Sequence, residues 1–199
     1  MQKPAAFYDQ TYFDGHGKSN YDQYDIGSSP FAAQADVIEA LMAFFGLHGP
    51  VLDLGCAKGY LVYVLRLRGI QAYGVDWSDY ALDHAYPDAR PFLVRASAAR
   101  LPFADKRFAL ATSFDVLEHQ DLENARRALK EGARVADRQF HQVNTGRLAE
   151  WVYEGDESHC VKYPIEHWRS IVKRLRLNGT MLCEPDRLLP FLVTADLRG

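Results

Sequence analysis

A turn of small residues and a carboxylate follow two successive apolar segments in the first half of the sequence. The turn 55–59, Gly-Cys-Ala-Lys-Gly, comes directly after the apolar segment 51–54, and Asp76 ends the next apolar segment 17 residues after Gly59. A turn without large side chains lets a ligand approach the backbone, and a carboxylate at a strand end can accept hydrogen bonds from both ribose hydroxyls. This spacing predicts a site for a nucleoside that carries an amino-acid tail. The alternative is a ligand-free turn, with Asp76 at the start of the next helix and Trp77 in simple packing.

A dinucleotide site is a second alternative, because it too needs a glycine turn and an acidic residue at the end of the next strand. Its usual GxGxxG spacing is absent from residues 55–59. The Leu-Glu-His segment at 117–119 also has no standard role in hydride transfer. The sequence therefore disfavours nicotinamide chemistry.

Two histidines are candidates for proton transfer. His119 follows the fourth predicted strand, where it is either a catalytic base or a helix-entry residue, and His159 lies in the loop Gly-Asp-Glu-Ser-His at 155–159. Loops over a rigid sheet often carry acceptor-specific groups, so His159 could be a base that Asp156 orients. A metal site formed by Asp156, Glu157 and His159 is less favoured, since carboxylate-rich loops are usually solvated. We predict no metal site.

The elements that must position these residues alternate between strand and helix patterns. Apolar residues recur at helical spacing over 31–45, 61–69, 78–85, 121–135 and 164–178, and short apolar segments predict strands at 50–54, 70–75, 91–95, 108–113 and 139–143. Two final strands, 180–184 and 188–194, are separated by three residues, which favours antiparallel pairing. The sequence thus predicts an α/β fold: a doubly wound, mostly parallel, seven-stranded sheet with a C-terminal antiparallel hairpin.

At this level the sequence resembles the class I S-adenosylmethionine (SAM)-dependent methyltransferases, in their small-molecule, Leu-Glu-His variant. The resemblance rests on Asp53 to Gly59, on Asp76, on Leu-Pro-Phe at 101–103 and on Ser-Phe-Asp-Val-Leu-Glu-His at 113–119. It covers about residues 31–145. The family usually has three alternating glycines in the loop, and here the middle one is Ala57.

The resemblance implies SAM as the cofactor on a Rossmann-like methyltransferase fold. Asp53, Gly55 and Gly59 would then surround the methionine moiety, Asp76 would bind the ribose and Trp77 would flank the adenine. Where the family often places an acidic residue against the adenine amino group, this chain has Ser97, and the contact could instead come from the Ala98 backbone. The remaining candidate cofactor-binding residues are Cys56, Ala57 and Phe114.

The implied reaction is an in-line displacement at the methyl group of SAM. The sulfonium already activates the methyl group, so the protein mainly aligns the acceptor and excludes water, while a hydroxyl or ammonium acceptor also needs a base. His119 and His159 are the catalytic candidates. Oxygen, nitrogen and carbon acceptors all remain open, as do two alternatives: a non-catalytic SAM-binding partner or sensor, and an RNA or protein methyltransferase.

Composition restricts the acceptor and the compartment. The 199 residues carry a formal charge of −3, with 48% hydrophobic and 25% charged residues, which fits a globular domain without a basic stripe for long nucleic acids. We therefore expect a small-molecule acceptor. Three widely spaced cysteines and the lack of a signal or membrane segment lead us to expect a cytoplasmic protein with no membrane partner. The oligomeric state is left open.

The domain organisation follows from a change in pattern near residue 30. Residues 1–30 are rich in Tyr, Asp, Gly and Ser with little periodicity, and we expect them to form an arm or lid. Residues 31–199 would form a single methyltransferase domain. The arm carries Tyr8, Tyr12, Tyr21 and Tyr24, which either close over the cofactor or the acceptor, or simply pack on the domain.

Overall fold

The computed structural model describes residues 2–15, 17–19, 21, 23–27, 30–143, 157–160, 163–181 and 189–194, the last two strands by their backbone alone. The helices are α1 Gln10–Asp14, α2 Phe31–Phe44, α3 Tyr60–Leu67, α4 Asp79–Asp83, α5 Leu122–Val135 and α6 Ile165–Arg174. The strands are β1 Val51–Leu54, β2 Ala72–Asp76, β3 Leu93–Arg95, β4 Phe108–Phe114, β5 Ala136–Val143, β6 Asn178–Met181 and β7 Leu189–Thr194. Strands and helices alternate, as predicted for an α/β fold.

One sheet joins the strands in the order β3-β2-β1-β4-β5-β7-β6. The first five strands in this order are parallel to one another. Strand β7 pairs antiparallel with β5 on one side and with β6 on the other. The prediction of a Rossmann-like, mostly parallel sheet is confirmed. Residues 182–188, where the predicted hairpin turn falls, lie outside the described residues. The strand order reverses at β1, so the crevice at the carboxyl ends of β1 and β4 is where such sheets bind ligands.

The predicted bounds need three corrections. Residues 90–92 form a 3-10 turn, since Pro91 has no backbone N–H to donate to the sheet, and β3 begins only at Leu93. The fifth strand begins at Ala136 rather than Gln139, directly after α5. Helix α6 ends at Arg174 because Arg176 adopts a left-handed conformation with a φ of 55°, and Asn178 is already in β6.

Each face of the sheet is covered by helices. Successive side chains of β1 point to opposite faces of the sheet. Leu52 and Leu54 therefore join the core that lies under α5 and α6, and this core also contains Leu129 and the fully buried Trp168. On the opposite face Val51 packs with α2, α3 and the N-terminal arm. None of the helices in the described ranges is long and apolar enough to cross a membrane.

The N-terminal arm is folded against this second face. Asp9 caps α1 by accepting a hydrogen bond from the backbone N–H of Tyr12 at 3.2 Å. Tyr12 and Phe13 are buried, and the Ser78 hydroxyl, which also caps α4, donates to the carbonyl of Tyr8 at 2.6 Å. The arm is therefore held beside the end of β2.

Candidate cofactor and active site

The turn between β1 and α3 depends on left-handed backbone conformations at Gly55 and Ala57. Gly55 has a φ of 73°, and a Cβ there would lie 2.5 Å from Cγ2 of Val116, so only glycine fits. The amides of Gly55 and Cys56 donate to the carbonyl of Val75 at 2.8 and 3.0 Å. Ala57, where the family usually has its middle glycine, is also left-handed, with a φ of 47°. The loop thus keeps a glycine-like conformation at an alanine.

Asp76 ties this turn to the end of β2. Its Oδ2 accepts a hydrogen bond from the backbone N–H of Ala57 at 2.9 Å, and its Oδ1 accepts from the N–H of Ser78 at 2.8 Å. Burial raises the pKa of Asp76, and these backbone donors partly offset that shift. An ionised carboxylate has about four lone-pair sites, so two bonds leave capacity for ribose hydroxyls.

Asp53 is a second buried carboxyl group in the same region, with 5% of its surface exposed. Burial and the neighbouring charge of Asp76 raise the pKa of Asp53 to about 8, against a smaller lowering by the Thr112 hydroxyl. This shift favours the neutral form of Asp53 in the ligand-free protein. A cationic ligand group placed beside it would favour the carboxylate form.

Two adjoining cavities lie at these strand ends. The larger, of about 120 Å³, is lined by seven of the predicted cofactor residues: Gly55, Ala57, Asp76, Trp77, Ser97, Ala98 and Phe114. The smaller, of about 40 Å³, is lined by Asp53 and Cys56 and shares Gly55 and Phe114 with the larger. Gly59 lines neither cavity. A Cβ at Gly59 would lie 2.7 Å from Cδ1 of Leu93, so this glycine permits close packing of the turn.

The arm forms one wall of the larger cavity. All four predicted arm tyrosines, Tyr8, Tyr12, Tyr21 and Tyr24, line it. The Nζ of Lys58, within the glycine loop, lies 2.8 Å from both carboxylate oxygens of Asp14 and donates to the carbonyl of Tyr24 at 3.2 Å. Asp14 also accepts from the Tyr80 hydroxyl at 2.8 Å. A buried lysine thus joins the arm to the loop.

One histidine candidate lines this cavity and the other packs against the first. His119 lines the cavity. The ring of His159 packs edge-on against the ring of His119, with the two ring centroids 4.6 Å apart. Nδ1 of His119 is 2.7 Å from the Ser158 hydroxyl, and the N–H of Cys160 donates to the carbonyl of Glu118 at 2.9 Å. Asp156, predicted to orient His159, lies outside the described residues. The fold brings together two histidines that are 40 residues apart.

Several residues at or beside the site were not predicted from the sequence, among them Lys58, Asp115 and Glu118. Asp115 follows β4 with a φ of 54° and lines both cavities. Burial raises the pKa of Asp115 to about 6, although the Gln142 amide donates to it at 3.4 Å. An acidic residue at the end of β4, at the same sheet edge as Asp76, was the available signal.

Comparison with known proteins identifies the class. Residues 52–139 match the family model described as "Methyltransferase domain". The chain is 35% identical over 108 residues to a 2-phytyl-1,4-naphtoquinone methyltransferase of Trichormus variabilis, covering 47% of each chain. It is 33% identical over 88 residues to a protein of Mycobacterium tuberculosis named "Probable S-adenosylmethionine-dependent methyltransferase", covering 43% of this chain and 31% of that one. The chain thus spans half or less of these curated relatives.

Solved structures share the fold. An S-adenosylmethionine-dependent methyltransferase from Clostridium acetobutylicum superposes with a TM-score of 0.68 at 17% identity, over 80% of this chain and 89% of that one. Magnesium protoporphyrin IX methyltransferase from Synechocystis, solved with bound SAH, gives a TM-score of 0.59 at 19% identity, over 90% and 89%. Residues 52–139 therefore match a methyltransferase domain, and the sheet has the fold of SAM-dependent methyltransferases, whose cofactor is SAM.

Proposed function

We propose that this protein transfers the methyl group of SAM to a small-molecule acceptor. The observation that carries the proposal is a single cavity whose wall includes the glycine turn, Asp76 and His119. A nucleoside site and a proton-accepting side chain therefore face the same space. Fold alone does not give activity, so the proposal depends on this arrangement of side chains.

The cofactor would lie across the carboxyl ends of β1 and β2. Asp76 would accept hydrogen bonds from the ribose, Trp77 would flank the adenine, and the Ser97–Ala98 segment would meet the adenine edge. The methionine moiety would extend along the turn into the smaller cavity, where its ammonium group would pair with Asp53. Cys56, Ala57 and Phe114 would complete the walls, and Gly59 would shape the turn.

The acceptor would enter at the end of the cavity that holds the histidines. In this proposal His119 takes the proton from the acceptor as its nucleophilic atom attacks the methyl group, and His159 supports that ring from the side. The Ser158 hydroxyl, 2.7 Å from Nδ1, fixes the orientation of His119. The neutral thioether product of SAM then leaves the site.

Three observations support a small acceptor. Arm tyrosines wall the larger cavity, and the net charge of −3 leaves no basic stripe for a nucleic acid. The name of the Trichormus relative also refers to a naphthoquinone, which is a small molecule. We propose that residues 1–30 act as a lid on the single domain 31–199, so that the tyrosine rings exclude water during transfer.

The direct test is incubation of the protein with methyl-labelled SAM and a chemically diverse set of small phenols, enols, amines and carbon acids. We expect catalytic, multiple-turnover labelling of at least one class. SAM binding without product from any class would favour a non-catalytic SAM-binding protein. Labelling of RNA or peptides that is lost when surface lysines and arginines are replaced, and that falls with salt, would favour the macromolecular alternative.

A further inference from the structure

Three side chains, one on the wall of the larger cavity and two beside it, form a cluster that the methyl-transfer chemistry does not fully use. Glu118, His119 and His159 each present one ligand atom, and all of these atoms lie within 4.8 Å of one another. Glu118 is only 1% exposed, and both histidines are partly buried. A cation placed among these groups would offset the hydration that the carboxylate loses on burial.

The ligand types and spacing fit a divalent transition-metal ion. Two imidazole nitrogens and one carboxylate oxygen suit zinc, manganese or cobalt, whereas magnesium prefers oxygen ligands and retained waters. With metal–ligand bonds of about 2.0–2.2 Å, neighbouring ligand atoms come to lie roughly 3–3.5 Å apart. Because the ligand atoms lie within 4.8 Å of one another, the cluster has to contract by about 1 Å to close on an ion.

The groups around the cluster resemble the support of a metal site. A metal-bound histidine usually donates its other ring N–H to a fixed oxygen. The Ser158 hydroxyl stands 2.7 Å from Nδ1 of His119, so in the tautomer with its proton on Nδ1 the ligand atom of this histidine would be Nε2. The hydrogen bond from the N–H of Cys160 to the carbonyl of Glu118, at 2.9 Å, holds the two chain segments together.

We propose that Glu118, His119 and His159 bind one divalent transition-metal cation at the acceptor end of the cavity. Its role rests on the proposed function: the cation would bind an acceptor hydroxyl and lower the pKa of that hydroxyl. The acceptor O–H bond breaks and its proton passes to solvent, then the oxygen forms the new C–O bond as the C–S bond of SAM breaks. A nitrogen that binds the cation cannot also accept a proton, so in the loaded protein the cation replaces the imidazole as the activating group.

Cation binding can be measured without SAM and without an acceptor. The full chain, treated with a chelator and dialysed, is titrated with Zn²⁺ by calorimetry and with Co²⁺ by visible absorption. We expect one cation per chain, with cobalt bands typical of nitrogen ligation, and no competition from millimolar Mg²⁺. Ser158→Ala removes a group that supports a ligand, and we expect it to weaken cation binding by roughly 10- to 100-fold. Glu118→Gln and His159→Asn remove ligands themselves, so each should weaken binding by more than that.

The matched control is His48→Asn, which removes an exposed histidine outside the cluster. Thermal unfolding of each variant without metal shows that the fold is retained. Absence of binding at millimolar Zn²⁺ and Co²⁺, or equal affinity in wild type, Glu118→Gln and His159→Asn, would overturn the site. SAM affinity and methyl transfer are measured separately. Full transfer activity after chelation would overturn the catalytic role of the cation while leaving the proposed function intact.

Discussion

Lys58 in the glycine loop and Asp14 in the N-terminal arm form an ion pair in which the ammonium nitrogen is 2.8 Å from both carboxylate oxygens. The lysine side chain is 8% exposed and the aspartate side chain 22%. Burial alone would raise the pKa of Asp14, but the hydrogen bonds from Lys58 and Tyr80 hold it below its usual value. The pair therefore links the wall of the cofactor cavity to the turn beneath it.

Replacing Asp14 with Asn should release the arm. The change removes the charge while keeping an acceptor for Tyr80, and we expect a loss of about 1–3 kcal/mol in unfolding free energy, typical of a hydrogen-bonded charged group. SAM should also bind more weakly. Chemical denaturation and calorimetry measure the two effects. Asp9→Asn is the control, since its pair with Lys18 is more exposed and contributes about 1 kcal/mol or less.

The same pair predicts a pH dependence. Because the folded-state pKa of Asp14 lies below its ordinary value of 3.8, its stabilising contribution is present above that pH. The contribution is lost as the pH falls through the lower folded-state pKa. The stability difference between wild type and Asp14→Asn should thus shrink on acidification below pH 3.8, and a constant difference would contradict the assignment.

Asp76 should be needed both for the loop and for the cofactor. Asp76→Asn places an amide donor where the N–H of Ala57 or Ser78 needs an acceptor, so we expect a lower melting temperature as well as weaker SAM binding. The loss of ribose hydrogen bonds should cost about 1–3 kcal/mol of binding energy. Binding is compared well below the melting temperature of each variant. Unchanged SAM affinity would remove Asp76 from the cofactor site.

Asp53 should release a proton when SAM binds. Its pKa of about 8 makes it neutral in the ligand-free protein near pH 6, and an ammonium group beside it favours the charged form. Affinity should therefore rise between pH 5 and 7 by up to about tenfold per pH unit, with close to one proton released. Calorimetry in buffers of different ionisation enthalpy measures that proton, and Asp53→Asn should abolish both effects.

The two histidines should affect turnover rather than cofactor binding. At saturating SAM without added metal, His119→Ala should lower kcat by about 10²–10⁴-fold, the usual contribution of a general base. His159→Ala should have a smaller effect, and both should leave the SAM dissociation constant unchanged. In wild type the rate should fall at low pH as His119 becomes protonated, and this fall should be absent in His119→Ala. A variant profile that keeps this fall would exclude His119 as the base.

Gly55 should tolerate no side chain. Gly55→Ala must accommodate a Cβ 2.5 Å from Val116 and an unfavourable φ of 73°, so the turn has to shift. We expect an order-of-magnitude loss of SAM affinity or more, with backbone strain of about 1–3 kcal/mol. Gly46→Ala is the control: Gly46 too has a positive φ, of 60°, but a Cβ there would meet no atom within 4 Å, and Gly46 does not line either cavity.

Features that depend on neighbouring residues in the chain were predicted from the sequence. Apolar segments located β1, β2 and β4, and the predicted helix starts at residues 78 and 121 coincide with the observed caps Ser78 and Asp121, whose side chains accept from backbone N–H groups three positions away. The approach of Asp14 to Lys58 and of His159 to His119 was not readable, because it depends on packing between segments that are distant in the chain. The predicted start of β5 was three residues too late, because no turn residue separates the end of α5 at Val135 from the strand.

The arm precedes in the chain the residues that hold it, among them Lys58, Ser78 and Ser158. Because translation proceeds from the amino terminus, its aromatic rings emerge from the ribosome before any of these anchors exists. The imidazole pair can assemble only after residue 159 has been made. We therefore expect the wall of the larger cavity to be completed only after residue 159 has been made.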